Sequence, residues 1–187
     1  DNITEAFAAV NAVTNADRAK AAVSFTLAAG DNIEFLETVL ASAGTAINLT
    51  GNEIAQTVTG NAGSNILNGK GGNDFLAGGH GNDFFVFNTA LNATKNRDAI
   101  TDFNVANDGN NDAIRLENTG AGLFNTLAVG TLNAAFFKAN ATGTATDAND
   151  RIIYETDTGK LFYDSNGSAA GGSIHFVTLS NAVKPVL

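Results

Sequence analysis

Large apolar residues fall into distinct spacing patterns along the chain. Ile3, Phe7 and Val10 stand at helical intervals behind Asn2, with Glu5 three positions on as in a capping box, so the first ten residues predict a short helix. The alanine-rich stretch from Asn15 to Val23 holds few large apolar side chains and reads as a further helical turn or two, or as a linker. From Asp31 the beat shortens to Ile33, Phe35, Leu36, Val39, Leu40, Ile47 and Leu49, separated by small residues, which predicts β-structure. Further on, Ile152, Ile153 and Tyr154 face Leu161, Phe162 and Tyr163 across Asp157, Thr158 and Gly159, the pattern of a hairpin. Ile174 to Val177 reads as an additional strand.

Between residues 51 and 86 the pattern becomes strictly periodic. Cut every nine residues, the chain reads GNEIAQTVT, GNAGSNILN, GKGGNDFLA and GGHGNDFFV. Each block opens on glycine (Gly51, Gly60, Gly69, Gly78). The sixth position is Gln56, Asn65, Asp74, Asp83, and the eighth is Val58, Leu67, Leu76, Phe85. Nine of the 20 glycines lie in residues 51–81 at matched positions, which a flexible linker has no reason to maintain. A six-residue turn and a three-residue strand bury nothing alone, so successive units must stack, with the eighth-position side chains forming an inward ladder. If two units make one coil, alternate turns lie above one another: Asn65 with Asp83, and Gln56 with Asp74.

Glycine at the turn positions allows positive φ and lets backbone carbonyls converge, while the sixth-position side chain adds another oxygen. Acidic turns stacked at the ~4.8 Å spacing of strands repel one another unless a cation lies between them. Composition agrees with a cationic partner. The chain carries 10 Lys+Arg against 19 Asp+Glu, a net charge of −9, which argues against nucleic acid. It has no cysteine, so disulfides and cysteine-ligated metals are excluded; at 44% hydrophobic and 16% charged it is able to bury a core. No apolar run approaches the ~20 residues that cross a bilayer, so no membrane span is expected.

GKGGNDFLA and GGHGNDFFV resemble the G-G-x-G-x-D-x-U-x nonapeptide of the RTX (repeats-in-toxin) calcium-binding family. The resemblance implies an all-β fold: a parallel β-roll with calcium between turns, flanked by a C-terminal β-rich cap and the short N-terminal helix. It implies calcium ligands from the carbonyls of Gly60, Ala62, Gly69, Gly71, Gly78 and His80, from those of Asn61, Gly63, Lys70, Gly72, Gly79 and Gly81, and from the side chains of Asn65, Asp74 and Asp83. Only the last two blocks match fully, so one to three strong roll sites are expected. Residues 33–59 are similar to the degenerate coils that precede the repeats in serralysin-like members. Phe84 to Phe87, followed by the run from Asp98 through Asp102 and Phe103 and by Asp112 to Leu116, is similar to the family's closing segment, whose D-x-I-x-D-F element nominates Asp98 and Asp102 for a terminal calcium site. The implied organisation is a helix or linker over 1–30, degenerate coils over 31–59, the nonapeptide roll over 60–87, and a β cap with a secretion-signal region over 88–187.

Asp164, Asn166 and Ser168 alternate as in the opening of an EF-hand loop but lack its closing glutamate, so a plain loop and a metal site both remain open. Asp108, Asn110 and Asp112 alternate similarly and read as a solvated loop. His80 offers its carbonyl, and His175, in an apolar alternation, reads as a sheet residue and not a catalyst. There is no H-E-x-x-H, G-x-S-x-G or phosphate loop, and no enzyme is expected in this chain, although a parent protein carrying hydrolase activity is compatible with it. Acid–base chemistry by Asp98 and Asp102, or a small hydrolase in residues 104–187, is the weaker alternative.

The resemblance implies a calcium-binding module of a bacterial protein, secreted or at the cell surface, exported through the type I secretion machinery and folding on extracellular calcium. The closing residues Asn181 to Leu187 lack the acidic residue before an apolar tail found in serralysin-like signals. The alternative is a calcium-dependent adhesin, surface-layer or polysaccharide-binding module, whose partner is a surface polysaccharide or a neighbouring protein domain.

Overall fold

The computed structural model describes residues 16–39, 44–104, 111–118 and 123–180. The expected helix in the first ten residues, Asp108, Asn110 and the closing residues 181–187 lie outside this set.

The described chain is built of short strands. Ten of them, β1 (Arg18–Ala21), β2 (Phe25–Thr26), β3 (Phe35–Thr38), β4 (Leu49–Thr50), β5 (Thr57–Thr59), β6 (Ile66–Asn68), β7 (Phe75–Ala77), β8 (Phe84–Phe87), β9 (Asp98–Ile100) and β10 (Ala113–Leu116), alternate between two sheets. Odd strands stack in parallel in the order β1-β3-β5-β7-β9, and even strands in the order β2-β4-β6-β8-β10. One odd and one even strand make a coil. Each coil lies on the next because a three-residue strand leaves all its backbone groups unpaired until a neighbouring layer supplies partners.

The register sets the core. Leu36, Val58, Leu76 and Ile100 stand opposite one another through the odd sheet, and Leu49, Leu67 and Phe85 through the even sheet. All seven are fully buried. The four eighth-position residues therefore form the inward ladder that the period predicts, each contributing ~2 kcal/mol of apolar burial.

The stretch after Asn15 is β and not helix. Arg18 and Lys20 face outward, where both reach Glu37, while Ala19 and Ala21 are buried against the next layer. Alanine suggests a helix in isolation. Here the neighbouring β3 provides a ready edge, and the two-residue alternation matches it.

Beyond the roll, β11 (Phe137–Asn140), β12 (Ile152–Glu155), β13 (Lys160–Asp164) and β14 (Ser173–Leu179) continue the odd sheet. β14 joins β9 in parallel, β13 and β12 follow antiparallel as the expected hairpin, and β11 closes parallel to β12. Phe87, Phe124, Tyr163 and Phe176 meet edge-on beneath this extension, so the roll core passes into the cap without a break. Among the described residues no helix is long and apolar enough to cross a membrane.

Candidate metal centre

Turns 51–56 and 69–74 lie on one edge of the roll, and turns 60–65 and 78–83 on the other, because two nonapeptides complete a coil. On the first edge the Gln56 N–H donates to Asp74 Oδ1 at 2.7 Å, and the Asp74 N–H to Asp98 Oδ1 at 3.0 Å. On the second, the Asn65 N–H donates to Asp83 Oδ1 at 2.7 Å, and the Asp83 N–H to Asp112 Oδ1 at 2.9 Å. Each sixth-position amide is thus held by the carboxylate one layer further along.

The stacked acids are buried: Asp74 and Asp83 are each 1% exposed, and Asp98 and Asp112 are also buried. Asp74 Oδ2 has no hydrogen-bond partner. Burial pushes the Asp74 carboxyl up to about 7 despite the Gln56 amide. Burial and then the charge of Asp74 push Asp98 up to about 8. Two carboxylates in this position are costly to ionise, and a bound cation removes that cost.

The glycines form the cradle. A Cβ on Gly69 would lie 2.1 Å from Asp74 Oδ2, and one on Gly78 2.1 Å from Asp83 Oδ2; on Gly60 it would lie 2.4 Å from the Gly78 carbonyl oxygen. In the two full repeats the second and fourth positions take positive φ, at Lys70 (73°), Gly72 (101°), Gly79 (94°) and Gly81 (109°). Neither Gly69 nor Gly71 does, so alanine there is decided by space alone. Gly69→Ala is expected to destabilise the chain by about 1–3 kcal/mol and remove about half of its thermal response to calcium, leaving the share of the Asp83 turn, whereas Gly71→Ala, whose Cβ would meet nothing nearer than 3.5 Å, leaves that response intact in thermal melts.

Among the described residues no three His, Cys, Asp or Glu side chains cluster as a metal site. A cation at these turns must therefore draw on backbone carbonyls together with one or two carboxylates, the donor set of a hard ion. Period, register and cradle agree with the comparison to known families: residues 50–88 match four copies of the RTX calcium-binding nonapeptide repeat.

These turns are RTX calcium-binding repeats.

No curated protein and no solved structure matches the chain. In the RTX turns the chemistry of the donor set would let Asp74 and Asp83, with converging backbone carbonyls, hold calcium. Gly60, Ala62, Gly63, Gly69, Gly71, Gly72, Gly78, Gly79, His80 and Gly81, whose carbonyls the resemblance nominates as ligands, stand in these stacked turns, with the His80 residue exposed. The Lys70 carbonyl accepts the Thr89 hydroxyl, and the Asn65 side chain hydrogen-bonds within the roll.

Asp98 and Asp102 do not come together. Asp98 sits over Asp74, whereas Asp102 accepts the N–H groups of Gly78 (3.0 Å) and Gly79 (2.8 Å) on the opposite edge. The intervening strand β9 crosses the roll between them. The residue that caps Asp83 is instead Asp112, which reads from sequence as part of a solvated loop. Its Oδ2 accepts the Asn104 N–H at 2.8 Å, and its own N–H donates to Asn104 Oδ1. The signal was present: Asp98-Ala-Ile and Asp112-Ala-Ile both reproduce positions six to eight of the nonapeptide.

The Asp164 loop is packed against its neighbour. Asp164 Oδ1 accepts the Asn166 N–H at 3.0 Å, Asn166 Nδ2 reaches the Ala170 carbonyl, and the Ser168 N–H donates to the Asp147 carbonyl. Gly167 (φ 66°) is needed because a Cβ would lie 2.6 Å from the Ala148 carbonyl oxygen. His175 lines an open cleft with Asp74, Asp98, Arg97 and Lys160. Burial and the Arg97 charge hold its imidazole down at about 4, and Nε2 lies 3.1 Å from the Val177 carbonyl and 3.0 Å from Thr178 Oγ1.

Proposed function

We propose that the chain is the non-enzymatic, calcium-binding module of a bacterial protein exported through a type I system, whose roll is only partly closed and marginally stable at cytosolic calcium and completes its folding on meeting extracellular calcium. The observation that carries this reading is the buried, unpartnered oxygen of Asp74 in a carboxylate stack with Asp98. An apo roll must bury that stack uncompensated, so the folded state is penalised where calcium is scarce. With a Kd of ~0.1 mM, typical of extracellular modules, ~2 mM calcium stabilises the fold by RT ln(1 + 20), about 1.8 kcal/mol per site, and cytosolic calcium contributes almost nothing. Two coupled sites then act as a folding switch.

The test is a calcium titration of the chelated full chain followed by far-ultraviolet circular dichroism. β-Structure is expected to increase with a midpoint between roughly 0.05 and 1 mM calcium. A midpoint at or below ~1 μM would have the chain fold before export and would overturn the export reading, and an unchanging spectrum would overturn calcium-driven folding itself.

A further inference from the structure

The four RTX turns are not equivalent, and their differences follow one chemical rule. In turn 51–56, Asn52 stands at the second position. Its Oδ1 accepts the Ile54 N–H and the Gln56 side-chain amide, and its Nδ2 donates to the carbonyls of Ala28 (2.9 Å) and Asp31 (2.8 Å) in the layer below. Turn 60–65 repeats the device. Asn61 Oδ1 accepts the Gly63 N–H and Asn65 Nδ2, both at 2.9 Å, and Asn61 Nδ2 donates to the Thr45 carbonyl at 2.8 Å. Asn65 Nδ2 also reaches the Ile47 carbonyl at 2.9 Å, while its Oδ1 accepts the Asn61 N–H at 2.8 Å.

The next two turns change at both positions together. The second residue becomes Lys70 or Gly79, neither with a side-chain amide, and the sixth becomes Asp74 or Asp83. Their second and fourth residues take positive φ, which none of Asn52, Ile54, Asn61 and Gly63 does. A carboxamide brings two N–H donors to converging carbonyl oxygens and adds no net charge, whereas a carboxylate brings none and adds a charge to be neutralised. The first pair of turns therefore has an internal donor where the second pair has an electrostatic deficit.

We propose that the amide pairs Asn52–Gln56 and Asn61–Asn65 take the place of calcium in their own turns, so that metal binding is confined to the turns ending in Asp74 and Asp83. This rests on the calcium-binding reading above. It divides one continuous roll into a part whose turns close without metal and a part that closes only with it. The first part, through β6, is a preformed edge on which β7 and β8 are laid down when calcium arrives. Asn65, placed among the ligands by resemblance, is on this view a determinant of where calcium does not bind.

Hydrogen exchange of the full chain, resolved by segment, tests the division. In chelator, Leu49–Asn68 is expected to keep its protection within about threefold of the calcium-loaded value, while Phe75–Phe87 loses tenfold or more. Asn65→Asp removes the two Nδ2 hydrogen bonds and adds a charge. It is expected to make protection of Leu49–Asn68 depend on calcium and to raise the bound stoichiometry by one in equilibrium dialysis with calcium. If this variant fails to fold in chelator, recovery of its protection on adding calcium gives the same answer. Equal loss in both segments of the unmodified chain overturns the division while leaving calcium-driven folding standing. So does Asn65→Asp protection that is indifferent to calcium while the unmodified chain responds. Indifference of both segments in the unmodified chain overturns calcium-driven folding together with the division.

Discussion

Saturating calcium is expected to raise the thermal midpoint of the chain by about 10 °C over the chelated form, and Asp74→Asn with Asp83→Asn to remove most of that rise. Two sites at about 1.8 kcal/mol each give about 3.6 kcal/mol, and a chain of this size moves by roughly 2–4 °C per kcal/mol. Asparagine is the informative replacement because its Oδ1 can still accept the Gln56 and Asn65 N–H groups that now bond the two acids. Alanine would orphan those buried donors and confuse a structural loss with a lost metal. In chelator the double variant should be at least as stable as the unmodified chain, because two buried charges have been removed. Scanning calorimetry in calcium and in chelator measures all four states. A full calcium response in the double variant would remove these acids from the site.

The pH dependence should reverse sign when calcium is removed. Asp74 and Asp98 have folded pKa values raised to about 7 and about 8 from an unfolded value of 3.8, so the apo fold binds protons more tightly than the unfolded chain. Their contribution to apo stability is fully present below pH ~4 and is lost as pH rises through 7 to 8, a change on the order of several kcal/mol. The net charge of −9 at pH 7 acts in the same direction through self-repulsion. Calcium competes with those protons, so affinity should climb over the same interval. The calcium-loaded chain is therefore expected to be at least as stable at pH 8.5 as at pH 6.5, and the calcium-free chain distinctly less. This window lies above the ordinary histidine range, and His175, held down at about 4, stays neutral throughout it. A calcium-free midpoint that rises between pH 6.5 and 8.5 would show that the stacked carboxylates are solvated and paired in some other way.

What could be read from sequence was whatever kept step with the period. Val58, Leu67, Leu76 and Phe85 are spaced by nine and all reach the core; Asp74 and Asp83 likewise fall on opposite edges, each 18 residues above its amide. Phase is lost above them. Asp98 stands 24 residues from Asp74, and Asp112 stands 29 from Asp83, because the connecting loops are longer than a nonapeptide turn. Asp112 was then marked by the short D-A-I echo and by the closing-segment resemblance, and not by phase. The D-x-I-x-D-F resemblance nominates Asp98 and Asp102 together, but a three-residue strand spans the roll, so its two ends serve different edges. β1 was misread for a physical reason as well: alanine prefers a helix locally, and only the waiting edge of β3 makes it a strand. The amide network could not be inferred from composition, since Asn52 and Asn61 replace the second-position glycine of the nonapeptide and the significance of that change depends on which carbonyls lie beneath.

The two-edged winding also limits how such a chain can change length. Adding or deleting 18 residues between β4 and β9 inserts or removes a whole coil and leaves the seams at both ends matched, because each layer touches only its neighbours. A change of nine would bring β9 onto the opposite sheet, away from β14 and the strands that follow it, severing the β14 seam. Growth and loss in this molecule are therefore quantised in pairs of repeats, with odd numbers excluded by the cap and not by the metal.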